Sequence, residues 1–215
     1  MYNKIIYLDN NSTTPLDERV LDAMLPYFIN EFGNPSSTHT FGLNSKKAVD
    51  TAKKNISTLI NSNPQELTFT SGATESINIA LKGLALHPNN KRNHIITVKT
   101  EHKAVLDTCK YLETVGFDID YLPVNNDGLI DLKKLENTIR KDTLLVCAMW
   151  VNNETGVIQS IKEISEITHN AGSLFMTDAT QAVGKIPTDI TENSIDLMSS
   201  SAHKMYGTKG NYFKN

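Results

Sequence analysis

Cysteine is nearly absent from the chain: Cys109 and Cys147 are the only two among 215 residues. Two thiols build no disulfide framework, and their spacing forms no CxxC pair. Cys147 sits inside the apolar run LLVCAMWV and Cys109 inside the helix-like stretch AVLDTCKYLETVG, so both read as small buried hydrophobes. Charge of one sign is also lacking. The 21 basic and 24 acidic residues leave a net charge of −3 and are interspersed without a basic stripe, which excludes nucleic acid as the main partner. No apolar run is long. Leu144–Val151 is the longest and falls far short of a bilayer span, so no membrane partner is expected. The opening MYNKIIYLDNN turns polar at once and holds no signal-peptide core, which leads to the expectation of a cytoplasmic protein. No metal site is expected. What remains is an ordinary globular composition, 39% hydrophobic and 21% charged, on a chain long enough for a continuous core.

Helical and strand-like patterns alternate along that chain. PLDERVLDAMLPYFINEF has helical spacing with Pro15 placed for a first turn, and NSKKAVDTAKKNISTLI predicts a second helix. ELTFT predicts a short strand leading into SGATESINIALKGLAL, a helix opening at Ser71 or Gly72. HIITVK, DIDYLPV, TLLVCAMWV, SLFMTD and IDLMSS predict further strands, with helices between them over KAVLDTCKYLETVG, DLKKLENTIR and IKEISEITHNAG. Such alternation indicates βαβ units: an α/β fold with a mainly parallel sheet and helices on both faces. Continuous apolar runs suit strands covered on both sides. Residues 1–14 read as an extended N-terminal segment and 15–215 as one large domain.

Ligands of such sheets bind beyond the carboxyl ends of the strands. SGATE, TEH, VNNETG, DATQ and SSSAHK stand at those ends, and they hold most of the ionisable and small polar residues. Ala73 and Thr74 lie at a strand-to-helix turn, where free N–H groups can receive a phosphate, although Ser71 could simply cap the helix. Asp178 ends a buried strand. It could cap a helix, or it could meet a cationic ring nitrogen as acidic residues do in pyridoxal phosphate enzymes. Lys204 belongs to no amphipathic face, and desolvation beside other cations would favour its free, nucleophilic amine. Ser201 and His203, just before it, could hydrogen-bond a phosphate. His102 offers a flat ring for stacking or proton transfer, or serves as a satisfied structural group.

These segments, with YLDNNSTTP, FGNPSSTHTFG, FTSGATESINIALKG, HIITVKTEHKAVLDTC, VNNETGVIQ, TDATQAVGKIP and DLMSSSAHKMYGTKG, run in order from about residue 5 to 210. The chain thereby resembles the cysteine desulfurases of the NifS/IscS type, in the class-V branch of the fold-type-I pyridoxal phosphate enzymes. The resemblance implies a fold-type-I large domain. It implies that Lys204 carries pyridoxal 5'-phosphate through a Schiff base, and that Asp178 keeps the pyridine nitrogen protonated. His102 would stack on the ring and assist proton transfer, making Lys204 and His102 the catalytic pair. Gln181 would contact the phenolic oxygen, and Asn153 would lie close to cofactor and substrate. Ala73, Thr74, Ser201 and His203 would hold the phosphate. The implied reaction converts L-cysteine to L-alanine and passes sulfur to an enzyme persulfide, for iron–sulfur cluster assembly or other sulfur transfer. The implied partners are a second copy in a homodimer and a sulfur-acceptor or scaffold protein.

The family's nucleophilic cysteine, its small C-terminal domain, a threonine that crosses the dimer interface and a carboxylate-binding arginine find no counterpart here. Neither cysteine sits in the corresponding mobile-loop motif, and NYFKN replaces a glycine- and aliphatic-rich strand. The expectation is therefore an incomplete chain: a desulfurase large domain, or alternatively a non-catalytic cofactor-binding or interaction fragment. A related class-V enzyme such as a selenocysteine lyase ranks lower, because TEHKAVLDTC and VNNETGVIQ point to desulfurases. No GxGxxG follows a strand, which disfavours a Rossmann dehydrogenase.

Overall fold

The computed structural model describes residues 5–209, so the NYFKN tail lies outside the described residues. Five strands, β1 (His94–Val98), β2 (Asp118–Leu122), β3 (Thr143–Cys147), β4 (Leu174–Asp178) and β5 (Leu197–Ser199), form one sheet. Their order is β2-β1-β3-β4-β5 and every pairing is parallel. Parallel neighbours need crossovers, and helices supply most of them: α4 (Lys103–Thr114), α5 (Leu132–Thr138) and α6 (Ile161–Asn170). Ahead of the sheet come α1 (Glu18–Ile29), α2 (Thr40–Ile60) and α3 (Ala73–Ala85).

The sheet separates two cores, and the period of two along its strands decides which residue enters which. Ile95, Leu145, Cys147 and Met176 pack with Ile77 and Leu81 of α3 and with Val105, Cys109 and Leu112 of α4. Ile96, Val98, Val146 and Phe175 point the other way, onto Ile60, Leu135, Ile161 and Ile164 of α2, α5 and α6. β1 and β3 are buried at every position because they have neighbours on both edges and helices on both faces. Each large side chain in these layers contributes roughly 1.5–3 kcal/mol of burial.

Two local readings are corrected, and one with two alternatives is decided. ELTFT forms no strand. Its Glu66 belongs instead to a 3-10 turn, where Glu66 Oε2 accepts from the Asn63 N–H at 3.0 Å while Asn63 Oδ1 accepts from the Gln65 N–H. Leu67 continues extended, but among the described residues no neighbouring strand pairs with this segment, and pairing is what makes a strand. Helix α1 begins at Glu18, not at Pro15, because Asp17 is the cap and accepts from the Arg19 N–H at 2.8 Å. Gly72, not Ser71, caps α3.

The strand order reverses between β1 and β3, since β2 lies to one side and β4 and β5 to the other. Chains leaving these two strands diverge and open a crevice at the carboxyl edge. No helix among the described residues is long and apolar enough to cross a membrane.

Candidate functional site

A cleft of about 690 Å³ occupies that edge. It falls within the size range of ligand sites, ~300–1,000 Å³. Its walls include Ala73, Thr74, His102, Asn153, Asp178, Gln181, Ser201, His203 and Lys204, so the structure brings together all nine residues singled out in the sequence.

One end of the cleft is the N-terminus of α3. Gly72 caps it without any side-chain hydrogen bond, and a Cβ built at Gly72 would meet nothing within 4 Å. The N–H groups of Ala73 and Thr74 have no acceptor among the described residues. Glu75 cannot serve, because its Oε2 accepts from the Ser71 N–H at 2.5 Å, which also holds its carboxyl below the ordinary value. The exposed donors and the helix dipole therefore face open space suited to an anion. Ser201 and His203 line the same space. Burial pushes the His203 imidazole down, with Lys204 and Lys209 adding to it, so the neutral ring is favoured.

His102 does two things at once. It is the N-cap of α4, and its Nδ1 accepts from the Ala104 N–H at 3.1 Å. An acceptor Nδ1 makes the neutral ring the Nε2–H tautomer, leaving a donor for the cleft. Asp178, at the end of β4, is 4% exposed, and Oδ1 accepts from the Thr180 N–H at 3.0 Å. Asn153 is presented by a loop that its neighbour builds. Asn152 Oδ1 accepts from the N–H groups of Glu154 and Thr155, each at 2.9 Å, while Asn152 Nδ2 donates to the Thr100 carbonyl at 2.9 Å.

The N-terminal segment closes over the site as a strap. Lys204 Nζ donates to the carbonyls of Asn11 and, at 2.8 Å, Ser12. Gln181 Nε2 donates to the same Asn11 carbonyl at 2.8 Å. The Thr14 N–H and hydroxyl both donate to the His203 carbonyl at 3.0 Å, and the Tyr206 N–H donates to Thr14 Oγ1 at 2.8 Å. Burial lowers the Lys204 amine and Lys185 lowers it further, against the opposing pull of Asp9, Asp178 and Glu154.

Sequence reasoning missed two contributors. The strap atoms are backbone carbonyls, which leave no side-chain signature. Glu101 is the other: it is 6% exposed, its Oε1 accepts from the Met149 N–H at 2.5 Å, and its Oε2 has no hydrogen-bond partner among the described residues. Burial, reinforced by Asp178, raises its carboxyl well above the ordinary range. The signal was a Glu three residues past a buried strand, hidden beside His102.

The cysteines take no part. Both are fully buried; burial pushes the Cys109 thiol up to about 12 and raises the Cys147 thiol too, with Glu101 adding to each. Neither supplies a thiolate near neutrality.

A phosphate-sized anion seat, a partly desolvated amine, a buried carboxylate and an imidazole with a free donor thus converge in one cleft. Comparison with known proteins gives the family. Residues 6–211 match the family described as Aminotransferase class-V. The chain is 55% identical over 206 residues to the cysteine desulfurase of Homo sapiens, covering 95% of this chain and 45% of that one. It is 53% identical over 206 residues to cysteine desulfurase IscS of Neisseria meningitidis, covering 95% and 51%. Among solved structures, SspA in complex with cysteine superposes with a TM-score of 0.93 at 39% identity, covering 96% of this chain and 59% of that one. A NifS-like protein gives 0.93 at 40%, covering 95% and 57%. The chain spans about half the length of the curated relatives it matches. It belongs to the class-V aminotransferase family.

Proposed function

We propose that this chain is the cofactor-binding half of a pyridoxal phosphate-dependent cysteine desulfurase. The observation that carries the reading is the convergence of Lys204, Asp178, His102 and an α3 N-terminus without a side-chain cap in one cleft. The residues present fit an aromatic aldehyde with a phosphate arm. Ala73, Thr74, Ser201 and His203 would hold the phosphate, Asp178 the ring nitrogen, Gln181 the phenolic oxygen and Lys204 the aldehyde carbon, with His102 over the ring and Asn153 beside it. When bound, the cofactor supplies an electron-withdrawing ring that lets the bonds around an amino acid's α-carbon be cleaved. Lys204, whose amine burial shifts toward the neutral form, would take up and return the α-proton of the substrate. The Nε2–H of His102 is a second proton donor on the cleft wall.

In the whole enzyme the C–S bond of L-cysteine breaks, L-alanine leaves, and the sulfur passes to a cysteine thiol as a persulfide. That thiol lies outside these 215 residues, since Cys109 and Cys147 are buried and protonated. The same reading takes residues 15–215 as one cofactor-binding domain after an N-terminal segment of residues 1–14, working as a homodimer with a sulfur acceptor such as an iron–sulfur scaffold. Two buried, unbridged thiols fit a reducing compartment, the cytoplasm in this reading.

Added pyridoxal phosphate gives a yellow complex that borohydride fixes onto Lys204, and Lys204→Ala abolishes both. Failure of the wild-type chain to form the adduct at excess cofactor overturns the proposal. Release of sulfide from cysteine distinguishes a complete desulfurase from a binding-only half; the inaccessible thiols favour the latter for this chain alone.

A further inference from the structure

Lys185 has no role in the assignments above, yet it ends a hydrogen-bond relay that leads to Lys204. Its Nζ donates to Gln181 Oε1 at 2.5 Å. Gln181 Nε2 donates to the Asn11 carbonyl at 2.8 Å, and Lys204 Nζ donates to that same oxygen. The two residues lie one helical turn apart, where the Ala179 and Ala182 carbonyls accept from the N–H groups of Val183 and Lys185. Lys185 keeps an exposed stem, whereas Gln181 is buried.

The order of donors in this relay is forced. An ammonium can only donate, so the Gln181 carbonyl oxygen must face Lys185 and its amide nitrogen must face the strap. The Asn11 carbonyl can only accept, so it makes the same choice at the other end of the amide, and Lys185 anchors the oxygen end. Lys185 also places a positive charge in reach of Lys204. The other charged groups facing Lys204 are Asp9, Asp178 and Glu154, all acidic. His203, one residue before it, favours the neutral form. Lys185 is therefore the cation that opposes three carboxylates.

We propose that Lys185 is a positioning residue for Lys204: it anchors the oxygen end of Gln181, whose amide nitrogen shares the Asn11 carbonyl with the reactive amine, and its ammonium stands at the far end of that relay. Burial lowers the Lys204 amine and the Lys185 charge is the next contribution, which agrees with the geometry. The inference rests on Lys204 being the reactive amine, but its test needs no cofactor.

The test measures the rate at which trace acetic anhydride modifies Lys204 in the full chain as a function of pH, with peptide mass spectrometry and exposed Lys134 as the internal control. Lys185→Met shifts the Lys204 titration upward and slows its modification at pH 7.5 about threefold, the effect of one charge acting across a water-like medium. Lys134 stays unchanged. Lys185→Arg keeps both donor and charge, so Lys204 titrates as in the wild type. Lys185→Gln, neutral but polar, repeats the shift of the Met variant. A Lys204 titration that is unmoved or lowered in both neutral variants overturns the proposal, as does an Arg variant that behaves like Met. Loss of pyridoxal phosphate binding, by contrast, bears only on the proposed function.

Discussion

Replacing Glu101 with Gln gives the sharpest test of the electrostatics at the carboxyl edge of the sheet. Glu101 is buried beneath the cleft wall with one oxygen bound to the Met149 N–H and the other unpartnered among the described residues. Ionising it there would place a charge in a low dielectric beside Asp178, so the folded chain keeps it protonated well above its ordinary value of 4.5. The unfolded chain releases that proton near 4.5. Between this value and the folded pKa, the folded state therefore binds one more proton than the unfolded state. Stability then falls as pH rises, by about 1.4 kcal/mol per pH unit from this group alone, and levels off once pH passes the folded pKa. Below 4.5 both states are protonated and the contribution is complete.

Gln removes the proton but keeps the shape and the acceptor for Met149. Its NH2 inherits the unpartnered position, an offset of about 1–3 kcal/mol that does not vary with pH. The difference between the two proteins is thus a slope and not an offset. Urea unfolding at intervals from pH 4.5 to 8 measures it, followed through Trp150, the single tryptophan, 5% exposed just past β3. The wild type loses stability relative to the Gln variant by about 1.4 kcal/mol for each unit above 4.5 until the folded pKa is reached, where the two profiles become parallel. Parallel profiles across that range would refute the reasoning, because they would mean that Glu101 titrates alike in both states.

Two further outcomes follow from packing and burial. Iodoacetamide at pH 8 labels neither Cys109 nor Cys147 in the folded chain and both in denaturant, since burial holds Cys109 near 12 and raises Cys147 as well; modification of the native protein counts against the inert-thiol reading. Gly42→Ala lowers stability by ~1–3 kcal/mol in urea unfolding, because an added Cβ meets the Ser37 carbonyl oxygen and lies 2.7 Å from that of Asn34; an unchanged midpoint would mean that the turn before α2 yields freely.

How much of this was legible beforehand depends on whether the information was local. β3 was readable because Leu144–Cys147 is continuously apolar, and such a run has few fates other than a strand covered on both faces. Placing Asp178, Lys204 and His102 together needed only the rule that parallel strands deliver their chemistry to one edge, and the β1/β3 reversal put the crevice where that rule predicts. ELTFT failed for the opposite reason. Its alternation satisfies a strand, but a strand exists only with a partner, and a local competitor was present: Asn63 and Glu66 stand at capping-box spacing and fold the first residue of the run into a turn. The strap was invisible because its contribution to Lys204 and Gln181 comes from the carbonyls of Asn11 and Ser12, which any sequence would carry. Glu101 lies between these cases. A carboxyl three residues past the buried strand β1 is costly unless it is paired, so the position was suspect on elementary grounds. Whether it is paired, exposed or kept neutral is decided by β3 and β4, 48 and 77 residues further along at Met149 and Asp178. The general lesson concerns protonation more than fold. An acid at a sheet edge stays neutral when it is denied both solvent and a cation, and that denial is a property of the packed neighbours, not of the acidic residue itself.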